Sequence, residues 1–450
     1  MPDPDLTIKA SPTKEFFIYM LTRDVQIGRA LIDLVDNSVD GAKRLRPDAD
    51  KADLDGLHVS LTINSDLFRI EDNCGGIPVD TARNYAFRFG RPKDAPSTDH
   101  SVGQFGVGMK RTFFKLGRKI YVRSATATSR FTMRVNVADW LAEPEDVSGW
   151  HFRFESTEEN IVVPPEEVGT YIEVTDLLPE TKGIFAQNTF LKEFEASLSQ
   201  GHSLVLGRNL AISINGIFLL HQPLALLSSD KIAPASIQKV YYEGDPQPVL
   251  VRILAGVSER DKEDGGWYIF CNGRMVVRAD QYQLTGWGDS EGKRMPKYHP
   301  DFAFFRGYVF FDCQNAALLP WTTTKTGVDA DSGIYRAVRE EMIEAAKPVL
   351  GFLREMAKER GEVAQGDRQT SGLEMAVADS RPLILADIMN RPAFTGPTIA
   401  PPAGPRMQRI QYSKPLDEVE AVKRHLGVKS LTDVGIRTFE YYKAYELTNE

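Results

Sequence analysis

Leu31, Ile32, Leu34, Val35, Val39 and Ala42 recur at the spacing of one helical face, while Asp33, Asp36, Asn37 and Asp40 take the other. At about 100° per residue the four polar positions fall within an arc of roughly 100°, the pattern of an amphipathic helix. Helical patterning extends over residues 13–46, with a break expected near Thr22-Arg23-Asp24 and an end at Pro47. Leu57–Ile63 alternates as a strand, and Leu67–Ile70 reads as the next strand of a hairpin. Tyr85–His100 is charged and turn-rich, with Pro92 and Pro96, so a mobile loop is expected there. A helix should follow Gly108, then strands at 119–125, 130–136, 151–155 and 169–175, then a helix over 186–206.

A second block begins near Asn209, with strands expected at 210–214, 248–255, 267–271 and 304–311 and a helix over 334–360. Strands followed by a long helix describe a second α/β unit. From Gly361 to Pro415 the apolar periodicity fades and seven prolines lie between 382 and 415, so this stretch reads as a linker. Val419, Val422 and Leu426 restore helical spacing in Leu416–Glu450, a small helical appendage. The expected divisions are therefore 1–205, 206–360, 361–415 and 416–450.

Composition narrows the class. The 450 residues suffice for two or three domains, and a hydrophobic fraction of 42% with 26% charged residues is that of an ordinary globular chain. A net charge of −8 argues against a general nucleic-acid coat, though it leaves room for a local basic patch. Three widely spaced cysteines (Cys74, Cys271, Cys313) form neither a disulfide framework nor a zinc pattern and suit a reducing compartment. The acidic start lacks the features of a signal peptide, and no run of about 18 apolar residues occurs, so the expected location is cytoplasmic, with no membrane partner.

Three segments carry candidate chemistry. On the first helix, three carboxylates and an amide share a face; like charges at i,i+3 and i,i+4 repel by a few tenths of a kcal/mol. Either the face is solvated or a cation serves it. In Ile70-Glu-Asp-Asn-Cys-Gly-Gly-Ile-Pro78 an acid and paired glycines follow a strand, which suits a tight turn or a close backbone approach to a ligand. In Gly103-Gln-Phe-Gly-Val-Gly-Met-Lys110 successive glycines precede a helix and would present N–H groups to an anion. A Walker loop is excluded because Met109 follows Gly108, and a dinucleotide fingerprint is excluded because Arg111 stands where it needs glycine. Gly169-Thr170 opens a further strand.

In this order the acidic helix, Asp-Asn-Cys-Gly-Gly, Gly-x-x-Gly-x-Gly and Gly-Thr resemble the GHKL superfamily of gyrase, heat-shock chaperone, histidine kinase and MutL ATPases. The likeness spans about residues 13–205, and Phe89-Gly90 with Gly106–Lys110 looks most like the MORC members. The resemblance implies an α+β protein with an N-terminal Bergerat-type sandwich that binds ATP and Mg²⁺. By matching motif, Asn37 would coordinate the metal, Asp72 would read the adenine amino group with Thr170 behind a water, and Gly76 would lie against the nucleotide. Gly103, Gln104, Phe105, Gly106, Val107 and Gly108 would cradle the phosphates, with Lys110 their neighbour or turned to solvent. Residues 88–100 would form the lid.

The segments Ile212–Gly216, Trp267–Arg274 and Pro320–Asp329 similarly resemble the α/β transducer domain, of the ribosomal-protein type, that follows the ATPase domain in MutL, MORC and gyrase. There Lys325 matches the lysine that reaches the γ-phosphate, and Asp33 matches the position of the water-activating acid. Most hydrolysing relatives carry Glu at that position, and the shorter Asp must displace either water or helix; catalytic geometry tolerates little of this. Cys74 also replaces the first glycine of Asp-x-Gly-x-Gly. The expected function is an ATP-gated homodimeric clamp or remodeller, assembled through residues 1–24 and slow in hydrolysis. Its client is a macromolecule, DNA being the commonest among such relatives. The alternative is a nucleotide-dependent scaffold with little turnover.

Overall fold

The structure, a computed structural model, describes residues 12–47, 53–90, 100–102, 108–144, 149–244, 246–289, 294–322, 325–366, 368–398 and 410–447. The expected break near Arg23 is present. Helix α1 (Lys14–Thr22) is capped by the Thr13 hydroxyl, and α2 (Ile27–Leu45) carries the acidic face. The hairpin β1 (His58–Ile63) and β2 (Leu67–Asp72) follows, then α3 (Val79–Thr81), which passes into a π-helical turn over Ala82–Ala86. Next come α4 (Gly108–Leu116), β3 (Gly117–Ala125), β4 (Ser129–Asn136), α5 (Val137–Ala142), β5 (Phe154–Glu159) and β6 (Gly169–Leu177). Helices α6 (Pro179–Phe185), α7 (Asn188–Gly201) and α8 (Ser203–Leu206) replace the single helix expected over 186–206.

Strands β7 (Ala211–Ile214) and β8 (Ile217–Phe218) complete an eight-stranded sheet of order β5-β4-β3-β6-β2-β1-β7-β8. This corrects the expected boundary at 205/206, because β7 runs parallel to β1 in the first sheet. Alternation marks a strand without saying which sheet recruits it. The apolar side of α2 (Leu31, Leu34 and Val35 among others) packs into the core of this sheet with Phe68, Phe113 and Ile172.

The second region holds β9 (Ala225–Ser228), β10 (Ala235–Tyr241), β11 (Val249–Val257), β12 (Gly266–Cys271), β13 (Arg274–Asp280) and β14 (Phe305–Asp312). Five of these strands form a sheet of order β10-β11-β14-β12-β13, in which β12 and β14 are parallel. Helix α9 (Gly333–Gln365) buries Tyr335, Val338, Met342 and Ile343 against it.

The reading of 361–415 as a linker is corrected for much of its length. Helix α9 continues to Gln365, α10 (Gly372–Ala378) follows, and β15 (Arg381–Ile384) pairs antiparallel with β9. Arg391 and Ser236 exchange backbone hydrogen bonds of 2.8 Å, and the Phe394 ring meets Phe352 at 5.5 Å. Prolines interrupt a ladder but are tolerated at an edge strand, so a proline-rich stretch can still be pinned by short pairings.

Contacts divide the chain into two compact units, residues 1–357 with 372–399 and residues 358–371 with 400–450. The second contains α11 (Leu416–Leu426) and α12 (Leu431–Glu446), the expected helical appendage. Gly427, at φ 62°, ends α11, and the Ser430 side chain caps α12. Among the described residues no helix is long and apolar enough to cross a membrane.

Candidate functional site

The acidic face of α2 is not solvated. Asp33, Asp36 and Asp40 are buried, and only Asn37 on that face is exposed. A buried carboxylate requires compensating charge or hydrogen bonds, and each of the three receives them from distant parts of the chain.

Asp36 is the most heavily engaged. His202 Nε2 lies 3.0 Å from its Oδ1, Arg274 Nε 3.6 Å from the same atom, and Lys325 Nζ 3.1 Å from its Oδ2. Arg274 also reaches His202 Nδ1 at 3.1 Å. The arrangement suits a neutral imidazole that donates from Nε2 to Asp36 and accepts from Arg274 at Nδ1. Burial alone would raise the Asp36 pKa, but Arg274, then Lys325 and His202, hold it well below the usual carboxylate range. Burial, followed by Arg274, pushes the His202 pKa down.

Asp33 pairs with Arg111, and Lys325 Nζ stands 3.6 Å from its other oxygen. A Cβ on Gly108 would lie 3.1 Å from Asp33 Oδ2, so the amino end of α4 meets α2 at the acidic face. Asp40 accepts from Val102 N with both oxygens, at 2.8 and 3.0 Å. Val102 itself is buried in the core of the second sheet region, which ties the segment just before Gly103 to both halves of the unit. The cation implied by clustered carboxylates is thus largely supplied by the protein, from Arg111, Arg274 and Lys325.

One turn along α2, Ser38 donates to Asp72 Oδ2 at 2.6 Å, and Cys74 N donates to Oδ1 at 2.9 Å. Asp72 stands opposite Thr170 in the β2–β6 register, and the Thr170 hydroxyl lies 3.0 Å from Ser124 Oγ. Each carboxylate oxygen retains a lone pair for a further donor. Burial pushes the Asp72 pKa up, although it is the Ser38 and Cys74 bonds that favour its ionised form.

Gly76 in the turn and Gly41 in α2 make room for the protein's own backbone. At Gly76, φ is +67° and a Cβ would lie 2.0 Å from Ala125 O; at Gly41, a Cβ would lie 2.3 Å from Cys74 O. Gly41 therefore makes the room that Cys74 occupies. Lys110 points neither toward the acidic face nor into solvent. It is buried, and its Nζ donates to Ala86 O at 2.8 Å, at the end of the π-helical turn. Gly103, Gln104, Phe105, Gly106 and Val107, and most of the expected lid, lie outside the described residues.

Sequence reasoning missed His202, Arg274, Arg111 and Ser38. None stands in a spacing that marks it. They reach the site from helix ends, a strand start and a position inside the acidic motif itself. Among the described residues no group of three or more His, Cys, Asp or Glu side chains could hold a metal ion, and Asn37 is the exposed polar residue of the acidic face.

Residues 25–156 match the family model described as histidine kinase-, DNA gyrase B- and HSP90-like ATPase. The match takes in Asp33, Asn37, Asp72, Gly76 and Gly108, and stops short of Thr170 and Lys325. It supports a GHKL-type ATPase domain in the first half of the chain. A comparison with curated proteins found no match.

Proposed function

We propose that this protein binds Mg-ATP on the first sheet domain and uses it to control a macromolecular client as a homodimer. The observation that carries the reading is the convergence on one helix of two clusters, which we read as an adenine-reading end and a phosphate end. Ser38 with Asp72 forms the first, and Asp33 with Gly108 and Lys325 forms the second. Exposed Asn37 lies between them.

In this reading Asp72 accepts the adenine amino group, with Thr170 behind it. Asn37 would hold a magnesium ion, which neutralises phosphate charge when bound. The amino end of α4, with its positive dipole end, faces the phosphates. Lys325 comes from the second sheet region, which acts as the transducer, and its ammonium exchanges Asp36 for the γ-phosphate. Asp33 orients the attacking water, but Arg111 and Lys325 already occupy its two carboxylate oxygens, so turnover is slow. The same ion pairs favour the second reading, a nucleotide-dependent scaffold with little hydrolysis.

Calorimetry with Mg-ATP tests binding: Asn37→Ala should lose it, and an unchanged affinity would remove the metal role. Phosphate release from wild type, Asp33→Glu and Asp33→Ala separates the two readings, since turnover found only in Asp33→Glu favours the scaffold. Light scattering with and without a non-hydrolysable ATP analogue tests the dimer; a monomer in both states ends the clamp. DNA is the first client to assay.

A further inference from the structure

A cavity of about 300 Å³ opens within the larger unit, with none of Asp33, Asp36 and Asp40 in its lining. Its walls are Leu204 and Arg208 beyond α7, Leu224 and Leu385, Phe310 on β14, and Lys43 near the end of α2. This volume is at the small end of small-molecule sites, which are mostly apolar with a few placed polar groups.

Lys43 is the unusual wall residue. It is only 8% exposed, and its Nζ donates to the carbonyls of Asn272, at 2.8 Å, and His100, at 3.1 Å. Both acceptors are neutral. Among the described residues no carboxylate comes within ion-pair distance of Nζ, which keeps a third donor. Burial pushes its pKa down, and Asp40 and Asp312 act on it only from further away. A buried ammonium without a contacting counter-ion is costly, and this one borders a space large enough to admit one. Arg208 adds a second cation, and Asp312, also in the wall, offsets one charge, so the Lys, Arg and Asp side chains of the lining sum to one net positive charge.

We propose that this cavity binds a small organic monoanion, a carboxylate head at Lys43 with an aliphatic body against Leu204, Leu224 and Phe310. A net charge of one favours a monoanion over a phosphate dianion, and the leucine-rich wall favours a ligand with an apolar tail. The site stands on its own residues and does not depend on nucleotide binding.

Hexanoate, 1-hexanol and inorganic phosphate are the probes, titrated calorimetrically into the full-length protein. Hexanoate should bind at one site per chain and more tightly than either of the others. Lys43→Met should weaken it about tenfold or more, the usual scale for a lost charged hydrogen bond. Leu204→Trp, which fills the cavity and leaves the lysine in place, should abolish it; circular dichroism checks that both variants fold. Hexanol binding as tightly as hexanoate, phosphate binding as tightly, undiminished binding in Leu204→Trp, or no hexanoate binding at millimolar concentration would each overturn the proposal.

Discussion

Lys325 Nζ lies 3.1 Å from Asp36 Oδ2, across 289 residues of chain, and 3.6 Å from Asp33 Oδ1. The lysine is buried and its backbone is left-handed, at φ 54°, within a tight loop closed by a hydrogen bond from its own N to Thr322 O. Such a conformation costs a non-glycine residue roughly 1 kcal/mol, and the two carboxylates offset it. The neighbouring carboxylates raise the Lys325 pKa, although burial acts against them.

Lys325→Met should therefore destabilise the protein without any nucleotide present. Removing one partner of a buried pair costs about 3–5 kcal/mol, and the remaining contacts of Asp36 with Arg274 and His202 reduce this to about 2–3 kcal/mol. Urea denaturation of the nucleotide-free protein measures it. A lysine that served the γ-phosphate alone would leave that stability unchanged.

The Asp36–His202–Arg274 cluster makes a pH prediction. His202 is held neutral in the folded state, so the unfolded chain binds more protons once pH falls below about 6.5. Stability should fall through that window. Asp36, whose folded pKa is depressed, contributes stability present above about pH 4 and lost below it. Thermal unfolding followed from about pH 7 to 5 should show a slope in wild type that His202→Gln flattens. An equal slope in the variant would place the titration elsewhere.

Asp72→Asn tests the base-reading end. An asparagine oxygen can still accept from Cys74 N, so the turn should hold, while the amide nitrogen faces the Ser38 hydroxyl and the charge is gone. Charged hydrogen bonds contribute about 1.5–3 kcal/mol, so ATP affinity should fall at least about tenfold with the melting temperature nearly kept. Calorimetry and a thermal melt together check this. Undiminished affinity would remove Asp72 from the nucleotide site.

The first domain was readable because its elements are local. The period of α2, the alternation of β1 and β2 and the glycines before α4 are properties of short windows, and α1, α2, β2, α4 and β6 lie where those windows indicate. Asn37 and Asp72 stood out because their motifs are contiguous. His202, Arg274 and Lys43 did not, because their partners lie far along the chain: 166 residues separate His202 from Asp36 and 229 separate Lys43 from Asn272. Only the fold brings them together. The same limit hid the membership of β7 in the first sheet and the pairing of β15 with β9, since a strand's pattern names its faces and not its neighbour.

Lys110 offers the last test. Its side chain is buried, its Nζ donates to Ala86 O, and burial pushes its pKa down to about 7. An unfolded lysine titrates near 10.4, so between about pH 7 and 10.4 the unfolded chain binds more protons than the folded one. The penalty for burying the ammonium is complete below pH 7 and shrinks as pH rises through this window. Each tenfold difference in proton affinity between the two states is worth about 1.4 kcal/mol. Wild type should therefore gain about 2–3 kcal/mol relative to Lys110→Met on going from about pH 7 to pH 9.5. Urea midpoints for both proteins at the two pH values give this difference directly, and titrations common to both cancel. A constant gap would mean that Lys110 keeps an ordinary pKa through contacts stronger than the Ala86 carbonyl. It would also remove the lysine as a pH-sensitive tie between α4 and the π-helical turn.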